Sequence, residues 1–185
     1  VYPADVTDAE LLRAWAGGDK LAGERLFERH FEAVTRFFRN KLPADAHHED
    51  LIQKTFLGCV EARDRFRGEA SFRSFLFAIA HNQLSKHWRA RSRDRLDLQT
   101  VSVFDLDPSP SAAVARNQEQ RQLLLALRRI PLDSQVALEL HYWESMTAAE
   151  ISEVLELPLG TAKTRLRRAK QLLEIELRAL QSVGS

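Results

Sequence analysis

The chain has 185 residues, of which 44% are apolar and 29% charged, and its formal net charge is +1. Such totals describe an ordinary soluble protein of one domain or two small ones. They exclude a uniformly basic DNA-coating protein, so any nucleic-acid surface must be local, with acidic surface elsewhere that suits a second, protein partner.

Thr7 and Glu10 have capping-box spacing ahead of Leu11, Leu12 and Trp15. Gly17, Gly18 and Asp19 then punctuate the chain. Helical spacing resumes at Leu21 and runs through Leu26, Phe27, Phe31, Val34, Phe37 and Phe38, until Pro43 ends it. Asp45 can cap a third helix over about 46–63, with Leu51, Ile52, Phe56, Leu57 and Val60 inward. Cys59 lies on this run and reads as core. As the single cysteine of the chain it excludes an internal disulfide framework and fits a reducing cytosol. No apolar run approaches the ~18 residues of a membrane span, and no signal peptide opens the chain, so no membrane insertion is expected and the cytoplasm is the expected location. The first residue is Val, which reads as a trimmed start.

Residues 66–95 carry the first constellation. Phe72, Phe75, Leu76, Ile79, Ala80 and Leu84 form one face of a helix. Its far end is basic, through Lys86, Arg89, Arg91, Arg93 and Arg95, with Asn82, Gln83, His87 and Trp88 at the junction. Cations neutralise phosphate, aromatics stack on bases and amides read base edges, so this end suits a nucleic-acid strand. The same pattern also suits a solvated helix end that favours its own dipole. Alternating β-branched runs and Asn-Gly turns are absent, so strands are not expected.

Helical patterning stops over 96–114, where Asp, Ser and a Pro-Ser-Pro sequence read as a flexible linker. It returns with Leu123, Leu124, Leu127 and Ile130. Pro131 and Asp133 mark the next start, ahead of Val136, Leu138, Leu140 and Trp143. The sharper motif is 146–173. Thr147 and Glu150 form a capping box before Ile151, Val154 and Leu155. Pro158 interrupts, and a second helix starts near Thr161 with Leu166, Ala169, Leu172 and Leu173 inward. Lys163, Thr164, Arg165, Arg167, Arg168 and Lys170 face out, with no acid among them. Two short helices around a tight turn, the second basic, make a helix-turn-helix. In a major groove its Arg and Lys would bond guanine edges or phosphates, with Thr161 or Thr164 assisting.

Together, the segments FRGEASFRSFLFAIAHNQLSKHWR and ELPLGTAKTRLRRAKQLL, the polar linker and HEDLIQKTFL resemble the extracytoplasmic-function sigma factors of the sigma-70 family. The resemblance covers nearly the whole chain. It implies an all-α protein of two small domains. Residues 1–95 would be sigma region 2, a four-helix unit, and 115–185 sigma region 4, with the linker at 96–114 between them. It further implies binding to bacterial core RNA polymerase, through its β′ clamp and β flap, and to promoter DNA. Glu49, Asp50, Gln53, Lys54 and Phe56 would grip the clamp. Arg67, Ser71, Phe72, Asn82, Lys86, Trp88, Arg89 and Arg91 would hold the melted minus-ten strand, with a flipped base between Phe66 and Ser71. Thr161, Lys163, Thr164, Arg165, Arg167, Arg168 and Lys170 would read the minus-thirty-five element. No catalysis, cofactor or metal of its own is implied: the sequence offers no paired nucleophile and base, no phosphate loop and no zinc spacing.

Two positions depart from the family pattern. Lys86 stands where an acid is usual. The clamp helix, usually dense in acid, has His47, His48 and Lys54 beside Glu49 and Asp50. Thr55 then reads in two ways. It is either a packing residue or a switch, since a phosphothreonine would add roughly −1.5 to −2 charge against a basic clamp. A Ser/Thr protein kinase and a separate anti-sigma factor are therefore the two expected regulators. The rival from another class is a stand-alone helix-turn-helix regulator that binds duplex operator DNA by itself. It leaves residues 66–95 and the clamp-like helix unexplained.

Overall fold

A computed structural model describes residues 2–3, 5–44, 46–66, 70–92, 96–108 and 117–183. Among these the regular secondary structure is helical, with isolated bridge positions at Pro43 and between Ser102 and Pro131. Helix α1 spans Asp8–Ala16, α2 Lys20–Arg39, α3 His48–Ala62 and α4 Phe72–Arg91. A 3-10 turn, Arg63–Arg65, follows α3.

Local chemistry sets the starts of these helices. Thr7 and Glu10 close the expected capping box on α1. Asp19 accepts from Leu21 and Ala22 at the start of α2. Ser71 accepts from Ser74 at the start of α4. The expected cap Asp45 lies outside the described residues, and His47, the residue before α3, makes no side-chain cap.

The first core gathers Leu26, Val34, Phe37, Phe38, Cys59, Leu76, Phe77, Ala80 and Leu84, all at or near zero exposure. Two glycines permit close approach. The Trp15 indole lies against the α2 backbone at Gly23, where a Cβ would stand 2.6 Å from the ring. A Cβ at Gly58 would stand 3.0 Å from Ile79, so α3 and α4 pack tightly there.

The stretch read as a flexible linker is partly built into the fold. Ser102 caps a single helical turn, α5, Val103–Leu106. Leu98 and Val103 are buried. Leu132 N–H donates to the Val101 carbonyl at 2.9 Å, Asp133 N–H to Leu98 at 3.1 Å, and Phe104 N–H to Arg128 at 2.8 Å. The first two bonds satisfy orphan N–H groups at the start of the helix Leu132–Trp143 and the third ties α5 to the residue before it, so residues 96–108 belong to the second unit. The remainder of the expected linker, 109–114, lies outside the described residues.

That unit comprises α6 Gln118–Leu127, α7 Leu132–Trp143, α8 Ala148–Val154 and α9 Leu159–Val183. Residues 132–140 of α7 are buried without interruption, because α7 lies between the two units. One side meets α9 and α8, and the other meets the end of α2 and the flank of α4.

Candidate nucleic-acid interface

On α4, Asn82, Lys86 and Arg89 are exposed. Their spacing of four and three residues places them in one stripe. Arg91 is exposed as well but lies nine residues from Asn82, on the opposite side of the helix. Two residues expected to meet DNA are internal. Phe72 is 3% exposed and packs on His30 and Phe75. Trp88 is 2% exposed; with a period of 3.6, it falls on the same buried line as Leu84 and Ala80. Neither ring is available for base stacking. Arg67 lies outside the described residues, as do Arg93 and Arg95.

Beside the stripe is a cavity of about 330 Å³ lined by Ala62, Arg65, Phe66, Ala70, Ser74, Phe75, Ala78 and Glu153. It borders the segment, from Phe66 into the start of α4, where the family resemblance implies a flipped base. Its floor is apolar, with the Phe66 and Phe75 rings tilted against each other at 4.9 Å between centroids. Glu153 comes from α8 of the second unit.

In the second unit Thr147 and Glu150 close the expected capping box of α8. The turn to α9 is a Schellman motif: Leu157 N–H bonds to the Ser152 carbonyl at 2.8 Å and Glu156 N–H to Glu153 at 3.3 Å. Glu156 occupies the left-handed position with φ of 52°. Helix α9 begins at Leu159, two residues earlier than expected, and Ala162, Leu166 and Ala169 bury its inner line. Lys163, Arg167 and Lys170 face solvent, with Lys170 over the Tyr142 ring at 5.2 Å. Thr161, Thr164, Arg165 and Arg168 form a second line. With Gln99 and Ser134 they border a cleft of about 480 Å³. Thr164 donates to the Gly160 carbonyl at 3.0 Å.

The exposed face of α3 carries Glu49, Asp50, Gln53, Lys54, Leu57 and Val60. Lys54 is paired with Asp50 at 2.6 Å, both about half exposed, so the extra cation neutralises the acid one turn before it. Phe56 is only 9% exposed. It packs on Phe27 and Phe31 and is a support for this face rather than part of it. Phe31, Leu57 and Val60, read as inward from sequence, are 53%, 55% and 44% exposed and give the face an apolar half. Thr55 is fully buried, and its hydroxyl donates to the Leu51 carbonyl at 2.7 Å. The folded chain therefore does not offer Thr55 to a kinase, a correction to the switch read from sequence.

The two units share one continuous apolar core, and charged pairs join them as well. Lys41, at the end of α2, is fully buried and paired with Glu139, which is 4% exposed. Gln135 bonds both Glu139 and the Asn40 carbonyl. Arg36 pairs with Glu144, whose carbonyl also accepts from Arg73 at 2.6 Å. Ser71 donates to Glu150 at 3.0 Å. Asp133 holds His81 of α4 with one oxygen and Arg165 of α9 with the other, each at 3.0 Å. Burial pushes the Asp133 carboxyl up, but the hydrogen bonds and charges of His81 and Arg165 outweigh that and hold it below the usual 3.8. Burial also lowers the Lys41 pKa, with Glu139 acting against the shift.

Sequence reasoning missed this acidic arc. The signal was present: from Ile130 to Ala162 the chain has six acids and no Lys or Arg.

Family patterns match on both units: Sigma-70 region 2 over residues 26–94 and Sigma-70, region 4 over 120–173. The chain is 27% identical over 190 residues to an ECF RNA polymerase sigma-E factor of Haemophilus influenzae, covering 95% of this chain and 97% of that protein. It is 24% identical over 185 residues to the sigma-E factor of Escherichia coli, covering 95% and 96%. Among solved structures it resembles CnrH in complex with the cytosolic domain of CnrY, with TM-score 0.69, 24% identity and coverage of 96% of this chain and 99% of that one. It also resembles the sigma factor RpoE of Bartonella quintana in complex with the anti-sigma factor NepR, with TM-score 0.67, 22% identity and coverage of 84% and 96%. Among the described residues, no helix is long and apolar enough to cross a membrane.

Proposed function

The chain belongs to the extracytoplasmic-function branch of the sigma-70 family, and from that premise we propose that it binds core RNA polymerase, reads the minus-ten and minus-thirty-five elements of a promoter and starts transcription of a signal-responsive set of genes. One observation carries this reading. Two surfaces of different kinds stand on one chain: an open, mostly apolar cavity of about 330 Å³ beside the Asn82, Lys86 and Arg89 stripe, and a helix-turn-helix whose second helix has no acid between Lys163 and Lys170. A cavity with flanking cations suits an unstacked single strand. A basic helix after a tight turn suits a duplex groove.

In this reading Glu49, Asp50, Gln53, Leu57 and Val60 meet the polymerase clamp. Phe66, Ser71, Asn82, Lys86 and Arg89 serve the minus-ten strand. Thr161, Lys163, Thr164, Arg165, Arg167, Arg168 and Lys170 serve the minus-thirty-five duplex. An anti-sigma factor is the better-supported regulator, since control through Thr55 requires α3 to lift its buried face from the core.

The test is reconstitution with core polymerase on a randomised promoter library, scored by run-off transcripts. Recovery of a shared two-element promoter that depends on the chain supports the proposal. Failure to bind core, with tight binding of duplex by the chain alone, supports the stand-alone regulator instead.

A further inference from the structure

The cleft of about 480 Å³ beside α9 has a recessed floor that the outer basic face lacks. Its walls come from three places: the turn at Gln99, the first turn of α7 at Ser134, and the first turn of α9 at Gly160 and Thr161, with Arg165 and Arg168 further along. None of its lining residues is Asp or Glu. Ser134 is only 8% exposed, and among the described residues no group bonds its hydroxyl. Buried hydroxyls ordinarily have a partner, so this one, set in the cleft wall, is a donor held ready for a ligand. Gly160 and Thr161 precede Ala162, whose N–H donates to the Pro158 carbonyl at 3.0 Å, and their own N–H groups are orphans of the helix end. Nothing packs on Gly160: no neighbouring group lies within 4 Å of where its Cβ would stand. Arg165 gives Asp133 one nitrogen, Nη1, at 3.0 Å, which leaves the rest of its fork, and Arg168 is exposed at the mouth.

We propose that this cleft binds a small phosphorylated molecule of nucleotide size, its phosphate between the Ser134 hydroxyl, the N-terminal turn of α9 and the guanidiniums of Arg165 and Arg168. A helix N-terminus presents N–H groups and a positive dipole end to an anion, and Arg bonds phosphate with a planar fork. Two guanidiniums stand here against the single Asp133 carboxylate, which His81 shares. The volume lies within the roughly 300–1,000 Å³ of small-molecule sites and exceeds what a bare phosphate fills. For the uncharged part there are Pro131, Leu172 and the Gln99 amide, which can meet a base edge. The recess favours a small ligand over DNA. Ser134 is 8% exposed and the Arg165 side chain 11%, whereas a wide, stiff duplex rests on exposed groups such as Lys163, Arg167 and Lys170. Thr161 and Arg168, at the mouth, belong to the duplex-reading set, so the occupant and the minus-thirty-five duplex exclude one another. That consequence rests on the sigma-factor reading above; the binding itself does not.

The test titrates the full chain calorimetrically with each of the four ribonucleoside 5′-monophosphates, beside the matching nucleosides and inorganic phosphate. At least one nucleotide is expected to bind one to one, at least tenfold tighter than its nucleoside and than phosphate. Ser134→Ala is expected to weaken it about tenfold while keeping the parent Tm. The same nucleotide at saturation should lower run-off transcription with core polymerase by the parent and spare the Ser134→Ala chain. Should Ser134→Ala melt below the parent, Gln99→Ala, on an exposed turn, carries the same comparison. Four results each overturn the proposal: no nucleotide binds; a nucleoside binds as tightly as its nucleotide; phosphate alone binds as tightly, which leaves a bare anion site; or the variant binds like the parent. A Ser134→Ala chain that loses promoter duplex while no nucleotide binds the parent assigns the cleft to DNA and overturns it as well. A parent that never transcribes with core removes the polymerase reading, while calorimetry still reports on the cleft.

Discussion

Glu139→Gln weighs the contact between the units most directly. The amide keeps the volume and the bond from Gln135, 2.8 Å to the glutamate oxygen, but removes the charge that neutralises Lys41. The ammonium then has the Phe37 carbonyl at 3.0 Å and the Phe37 ring at 4.1 Å. Breaking one half of a buried pair costs about 3–5 kcal/mol when the other charge stays buried. At about 2–4 °C per kcal/mol for a chain of this size, Tm falls by roughly 6–20 °C. Were the units to part and hydrate Lys41, the loss would be limited to the free energy of their contact.

Thermal melting and solution scattering separate these outcomes. A compact chain of this length has a radius of gyration of about 16 Å, and parting of the units raises it. The companion variant Lys41→Met with Glu139→Leu removes both charges. Such replacements are often neutral or stabilising by about 1–4 kcal/mol, so it melts at or above the parent and stays compact. The reasoning fails if Glu139→Gln changes neither Tm nor radius, or if the double variant is worse than the single one.

Lys54→Glu removes the neutralising partner of Asp50 and adds a second acid, so core-polymerase affinity should rise in a binding titration; no gain would remove the α3 face from the clamp contact. Arg168→Ala should cost about 1–3 kcal/mol of minus-thirty-five recognition in a promoter competition if its guanidinium bonds a base edge. Gly23→Ala gains about 1 kcal/mol of helix propensity but sets a methyl against the Trp15 indole, and overpacking costs about 1–3 kcal/mol; a raised Tm would show that the indole yields. Asp133 has a depressed carboxyl pKa, so its contribution to the contact between α4 and α9 is complete above the ordinary value of 3.8 and is lost as pH falls through the lower folded value. Acid titration followed by scattering should show the chain of Asp133→Asn insensitive in that window and the parent opening within it.

What the sequence made legible was local. Both capping boxes, Thr7 with Glu10 and Thr147 with Glu150, form as read, because their chemistry spans three residues and needs no tertiary partner. Pro158 lies in the connection between α8 and α9 as read, for the same reason, whereas α2 already ends at Arg39, ahead of the Pro43 expected to stop it. Burial was legible only in part. Helical spacing puts Phe31, Leu57 and Val60 on apolar arcs, but the width of an arc that is buried depends on the neighbour, and here the edge is left over. Residues 96–108 show no helical periodicity because they dock by backbone bonds and by a few irregularly spaced side chains, Leu96, Leu98, Val103 and Leu106. Asp133 read as a helix start, which it is. That its carboxylate also ties α4 to α9 depends on a docking that spacing cannot report.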